Sequence, residues 1–172
     1  MSNKVASSDE VEYQIDNPLE EDALISKALA ILSARLRQPA PQSFSSPRDV
    51  GAYCCIKAAD NDREVFSVLC LDAQNGLIDH TELFFGTLTQ SSVYPREVVK
   101  LALQKNAAAV ILTHNHPSGC VKPSRADEAL TKTLKAALAL VDVRVLDHII
   151  TSGGKWLSMA EQGIVCNFSK IV

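Results

Sequence analysis

The feature that most constrains the fold is a continuous apolar run from Ala107 to Thr113, followed directly by His114. A strand with one face in water alternates apolar and polar residues, whereas a strand covered on both faces is apolar throughout. The run therefore predicts a central, fully buried strand that ends at His114.

Turn signals predict how the neighbouring strands are connected. Asn75-Gly76 separates two apolar segments, 64–71 and 77–85, and predicts a hairpin between them. Gly153-Gly154 separates a predicted strand at 143–151 from a short one at 155–157. Capping and proline signals predict helices over 46–59, 95–106 and 124–140. The predicted fold class is α/β, of the α+β type: a mixed β-sheet flanked by helices, rather than a doubly wound parallel sheet.

Three regions are predicted along the chain. Residues 1–16 are predicted to be a disordered acidic tail, residues 17–45 an N-terminal helical appendage with its linker, and residues 46–172 the main domain. The appendage begins at Asn17-Pro18, and its apolar residues fall on one helical stripe: Ile25, Ala28, Leu29, Leu32 and Leu36. We expect this stripe to be buried against the main domain or against a second copy of the chain, as in a homodimer.

Composition favours a cytoplasmic protein without a membrane partner. Hydrophobic residues make up 47% of the chain. No apolar run approaches the roughly 20 residues of a membrane-spanning helix. The N-terminus is polar and acidic, unlike a secretory signal. The five cysteines are odd in number and follow no disulfide spacing.

Two histidines and one aspartate predict a metal site. His114 and His116 are two residues apart in extended backbone, so both side chains point to one side. Asp127 follows in the first turn of a predicted helix. Two imidazoles and one carboxylate, with a fourth position left for water, are the composition of a catalytic Zn²⁺ site. Asp127 also lies three residues after Ser124, where a capping box places an acid, and its two oxygens allow both roles.

A zinc hydrolase also needs a general base, which is usually a carboxylate. Spacing alone does not locate this group. Glu64 is the preferred candidate because it lies at the edge of an apolar strand, and Glu82 and Glu97 remain alternatives. His80 is interpreted as structural, and His148 as a residue that packs against or orients a ligand.

The motifs around these residues resemble a known family. His114-x-His116, followed by Ser124-x-x-Asp127, is similar to the signature of the JAMM metalloproteases of the JAB/MPN fold. The string His-Asn-His-Pro-Ser-Gly, with Tyr-Pro-Arg-Glu before it and Leu-Asp-His after it, resembles the bacterial RadC family over residues 46–164.

The resemblance implies a cytidine-deaminase-like architecture and a zinc ion held by the two histidines and Asp127. It also implies that Ser124 supports the oxyanion and that Glu64 is the general base. Full-length RadC proteins commonly carry an N-terminal helix-hairpin-helix region. The residues before position 46 depart from that pattern, because they are acidic and contain no glycine-rich hairpin.

Three functional hypotheses follow. The first is a zinc metallopeptidase or isopeptidase, in which a zinc-activated water attacks an amide carbonyl of a protein or peptide substrate. The second is a nucleic-acid-associated accessory protein in DNA repair or mobile-element maintenance. It rests on the family resemblance and on residues 23–172, which hold sixteen basic and thirteen acidic residues. The third is a non-catalytic binding module stabilised by zinc.

Overall fold

The computed structural model describes residues 22–29, 31, 43–86 and 93–164. The chain divides into two compact units, Met1–Pro39 and Ala40–Val172. In the first unit, residues 22–29 and 31 are helical, and the apolar side chains of Ile25 and Leu29 are exposed. The acidic tail, the helix start at Asn17 and two residues of the apolar stripe, Leu32 and Leu36, lie outside the described residues. The predicted domain boundaries and the homodimer therefore stay predictions.

The described part of the second unit contains three helices and five strands. In chain order they are α1 (Pro47–Lys57), β1 (Val65–Leu71), β2 (Leu77–Phe85), α2 (Pro95–Gln104), β3 (Ala109–Asn115), α3 (Arg125–Ala139), β4 (Arg144–Ser152) and β5 (Lys155–Ser158). The strands and helices predicted for this region are all present. Most of their ends differ from the predicted bounds by one or two residues. For example, β3 continues past His114 to Asn115, because these two residues pair with Ile150 and Thr151 of β4.

The five strands form one mixed sheet with the order β2-β1-β3-β4-β5. Strands β1 and β2, β1 and β3, and β4 and β5 pair antiparallel, whereas β3 and β4 pair parallel. Every residue of β3 is buried, as expected for the central strand. The predicted fold class, a mixed sheet flanked by helices, is confirmed.

Hydrophobic cores lie on both faces of this sheet. On one face α1 packs through Val50 and Cys54 onto Leu69, Ile111 and their neighbours. On the other face α2 and α3 cover a core that includes these side chains: Phe66, Val68, Val98, Leu101, Val110, Leu112, Leu134 and Leu138. Side chains alternate along a strand, so His114 belongs to the face that α3 covers.

A glycine of α1 packs directly beneath the only tryptophan. A Cβ built on Gly51 would lie 2.2 Å from Cδ2 of Trp156. We expect Gly51→Ala to lower the free energy of unfolding by about 1–3 kcal/mol, as overpacking typically does. Urea titration followed by tryptophan fluorescence measures the loss. Ala52→Gly, at the neighbouring exposed position, measures how strongly this helix prefers alanine to glycine where the side chain is not packed. An unchanged or raised stability of Gly51→Ala would show that the ring moves aside freely.

The described residues contain no helix that is long and apolar enough to cross a bilayer.

Candidate metal centre

His114 is held in the core at the carboxyl end of β3. Its side chain is buried, and its ring stacks on Phe66 with 6.4 Å between ring centroids. His116 follows the strand by one residue, and its backbone N–H donates to the carbonyl of Thr151 at 2.8 Å. Strand β4 therefore fixes the first residue of the loop, and both imidazoles are positioned by the sheet.

Asp127 is placed by the start of α3. Its backbone N–H donates to Oγ of Ser124 at 3.1 Å, and its Oδ2 accepts the N–H of Ser124 at 2.7 Å. This reciprocal pair is the predicted capping box. The capping interaction fixes the carboxylate while its oxygens still face the two histidines.

The three predicted ligands converge. Nε2 of His114 lies 2.9 Å from Nε2 of His116. It lies 3.4 Å from Oδ1 of Asp127, and Nε2 of His116 lies 3.7 Å from Oδ2 of the same carboxylate. One ligand atom from each residue falls within 4.8 Å of the other two. The strand end and the helix start thus deliver their donor atoms to one point.

The chemistry of this donor set fits a divalent zinc ion. Nδ1 of His116 lies 2.8 Å from the carbonyl oxygen of Cys120, which can only accept a hydrogen bond. The ring therefore carries its proton on Nδ1 and leaves the lone pair of Nε2 free. Burial lowers the pKa of His114 to about 4, against the opposing effect of Asp127, so this ring is neutral at pH 7. Two imidazoles and a carboxylate match the ligands that a catalytic zinc site takes from a protein.

The three candidate bases occupy different parts of the molecule. Glu64 and His116 line the same cleft, whose volume is about 660 Å³. Glu82 pairs with Ser67, which is on the α1 face of the sheet, opposite to the ring of His114. Glu97 lies on α2, where its carboxylate contacts Arg96 at 3.3 Å and Lys100 at 3.6 Å. Of the three candidates, Glu64 is the one that lines a cleft together with His116.

Asn115 has a role that the sequence did not reveal. Its Oδ1 accepts the backbone N–H of Val65 at 2.8 Å, and its Nδ2 donates to the carbonyl of Arg63 at 2.8 Å. The side chain therefore binds the backbone on both sides of Glu64. A polar residue at the end of a buried strand was the available signal, but its partners depend on the register of β1 and β3.

Asp147 and His148 are neighbours on β4 and make different contacts. His148 is fully buried, and its Nε2 lies 2.8 Å from Nδ1 of His114. Asp147 accepts hydrogen bonds from Ser158 Oγ at 2.6 Å and from the backbone N–H of Ala160 at 2.9 Å. Burial raises the pKa of Asp147, although these hydrogen bonds oppose the shift. Asp147 thus anchors the turn after β5, whereas His148 contacts a ligand.

His80 and Cys120 are placed differently from the ligands. His80 is on β2, with its Nδ1 3.3 Å from the hydroxyl of Tyr53. The thiol of Cys120 is exposed, and its residue contacts His116 through the backbone carbonyl. Among the described residues, the group able to hold a metal consists of His114, His116 and Asp127.

Comparisons with known proteins identify the family of the chain. The model of the family described as "RadC-like JAB domain" matches residues 44–164. The chain therefore belongs to the RadC-like JAB domain family, and its fold is related to that of the JAMM proteins.

Several relatives carry the name "UPF0758 protein". The one from Acidovorax sp. (strain JS42) is 60% identical over 143 residues, which cover 83% of this chain and 59% of the relative. The one from Verminephrobacter eiseniae (strain EF01-2) is 57% identical, with 83% and 60% covered. The one from Dechloromonas aromatica (strain RCB) is 61% identical over 124 residues, with 72% and 55% covered. The chain spans about three fifths of the length of these curated relatives.

Proposed function

We propose that this domain is a zinc-dependent hydrolase of the JAMM type, acting as a metallopeptidase or isopeptidase on a protein or peptide substrate. The observation that carries the proposal is the convergence of two imidazole nitrogens and one carboxylate beside the cleft that contains Glu64. When bound there, Zn²⁺ supplies Lewis acidity and lowers the pKa of a coordinated water toward about 7.

The protein leaves one side of this centre open. The side chain of His114 is 2% exposed, whereas those of His116 and Asp127 are 17% and 15% exposed. His114 is therefore sealed in the core, whereas His116 and Asp127 are partly exposed and His116 borders the cleft. A substrate carbonyl reaches the centre from the side of His116.

Glu64 is proposed to move the proton. A general base has to lie within hydrogen-bond reach of the attacking water or reach it through one further water. Glu64 is half-buried at the wall of the cleft that His116 also lines. Its carboxylate accepts a proton from the attacking water and then donates it to the nitrogen of the leaving amine.

Ser124 is proposed to stabilise the oxyanion. Its Oγ accepts the N–H of Asp127, so its own hydroxyl hydrogen is available to a second acceptor. The residue is exposed and caps the N-terminus of α3. Helix N-termini favour negative charge, and preorganised donors lower the energy of a developing oxyanion.

Metal removal and replacement test the proposal. Zinc-loaded protein is incubated with fluorogenic peptides and with peptides joined through a lysine ε-amide. We expect hydrolysis that disappears after treatment with a chelator and returns with one equivalent of Zn²⁺. Hydrolysis that survives chelation would contradict the proposal, as would the failure of zinc-loaded protein to cleave any of these amides. Melting on chelation without turnover would instead favour a zinc-stabilised binding module.

A further inference from the structure

A line of three short contacts connects one candidate ligand to another through the core. Nδ1 of His114 lies 2.8 Å from Nε2 of His148. Nδ1 of His148 lies 2.6 Å from Oγ1 of Thr131. That oxygen lies 2.6 Å from the backbone carbonyl oxygen of Asp127. The line therefore begins at the ligand on β3 and ends on the backbone of the ligand on α3.

The hydrogen positions along this line of contacts can be assigned by starting at the backbone carbonyl of Asp127. Two oxygens 2.6 Å apart repel each other unless a hydrogen lies between them. The carbonyl of Asp127 has no hydrogen, so the hydroxyl of Thr131 donates its single hydrogen to it. Oγ1 of Thr131 is then left as an acceptor, and Nδ1 of His148 must donate to it.

The same reasoning continues to the metal centre. The ring of His148 is fully buried between His114 and Thr131, and burying a charged imidazole is costly, so this ring carries one proton. Because that proton is on Nδ1, Nε2 of His148 accepts a hydrogen bond. The donor is Nδ1–H of His114, whose own Nε2 is then unprotonated and faces His116 and Asp127.

We propose that Thr131 and His148 are positioning residues that lock His114 in its Nδ1–H tautomer and present the Nε2 lone pair to the metal. The inference rests on the proposed function in that it takes the metal to bind at this site. A ligating histidine is commonly oriented through its other ring nitrogen. Here the partner of that nitrogen is His148. Thr131, one helical turn after Asp127, determines which nitrogen of His148 carries the proton.

The locked tautomer has a direct consequence for the metal centre. Nε2 of His114 lies 2.9 Å from Nε2 of His116 and 3.4 Å from Oδ1 of Asp127. With its proton on Nδ1, His114 presents the lone pair of Nε2 toward the two other candidate ligands.

Ring tautomers of the metal-free wild-type protein test the inference directly. The chain has four histidines, so the ring nitrogens can be labelled with ¹⁵N and assigned by single replacements. We expect the pyrrole-type signal of His114 on Nδ1 and the pyridine-type signal on Nε2, with the same pattern for His148. A proton on Nε2 of either ring would overturn the proposal.

A matched pair of substitutions tests the role of the threonine. Thr131→Val keeps the shape but removes the acceptor for His148, whereas Thr131→Ser keeps the hydroxyl. We expect Thr131→Val to bind Zn²⁺ about 10–100-fold more weakly, the usual loss when a partner of a ligand is removed, and to change the tautomer signals of His114. Thr131→Ser should retain both. Equal zinc affinities and unchanged tautomers in all three proteins would overturn the proposal.

These readouts separate this inference from the proposed function. Zinc affinity is measured by competition with a chromophoric chelator, and neither readout requires turnover. If the protein binds zinc and shows the expected tautomers but hydrolyses no amide, the positioning role of Thr131 and His148 stands and the hydrolase proposal fails. If hydrolysis depends on zinc but Thr131→Val matches the wild type in zinc affinity and tautomers, the hydrolase proposal stands and the positioning role fails. Thermal melting of the metal-free variants checks that each one folds.

Discussion

His116→Ala is expected to reduce bound zinc from about one ion per chain to background. The substitution leaves one imidazole and one carboxylate, which is one ligand fewer than the three protein ligands of catalytic zinc sites. It should not unfold the domain, because the His116 side chain is partly exposed in the loop after β3. The measurement is zinc content by atomic emission after dialysis against a weak chelator.

His80→Ala is the matched control for this experiment. His80 pairs with Leu69 across the β1–β2 ladder, and Leu69 belongs to the core beneath α1. Its ring is therefore on the face of the sheet opposite to the metal centre, and we expect its removal to leave zinc content unchanged. Equal zinc loss in both variants would mean that the loss is nonspecific. Full retention in His116→Ala would remove His116 from the ligand set.

Glu64→Gln is expected to lower the rate of amide hydrolysis by about 10²–10⁴-fold, the range attributed to general acid–base catalysis. Zinc content should stay near that of the wild type, because Glu64 is not among the three converging ligands. The amide of glutamine has a similar shape but cannot take a proton from water at neutral pH. Initial rates at saturating substrate, together with zinc content of the same sample, separate a lost base from a lost metal.

Glu82→Gln provides the comparison for the base. It makes the same chemical change on the neighbouring strand, but at an exposed position on the α1 face. We expect its rate to stay within about twofold of the wild type, because surface changes away from a site have small effects. A large loss of rate in Glu82→Gln with a normal rate in Glu64→Gln would assign the role of general base to Glu82.

Local sequence patterns were sufficient to predict the architecture. The apolar run that became β3 had to be central, and the Asn-Gly and Gly-Gly turns defined two of the three antiparallel pairs. The capping signal at Ser124 placed Asp127 in the first turn of α3. Each prediction used residues close together in the chain, where backbone preferences and side-chain periodicity determine the outcome.

The sequence could not separate Glu64 from Glu82 as candidate bases, because the face of the sheet that Glu82 occupies depends on an irregularity. Phe66 pairs with Phe84, but its neighbour Ser67 pairs with Glu82, so the register shifts between them. Simple alternation from Phe84 would have placed Glu82 on the face of His114. The bulge moves it to the opposite face. Periodicity does not reveal such a shift, and the line from His114 to Thr131 likewise joins residues that only the folded sheet brings together.

The amide of Asn115 has a consequence for the proposed chemistry. Its two hydrogen bonds attach the backbone around Glu64 to the residue between the two histidines. The candidate base and the two candidate imidazole ligands are therefore tied to one another by hydrogen bonds between protein groups. In the proposed hydrolase, this tie sets the spacing between the general base and the metal.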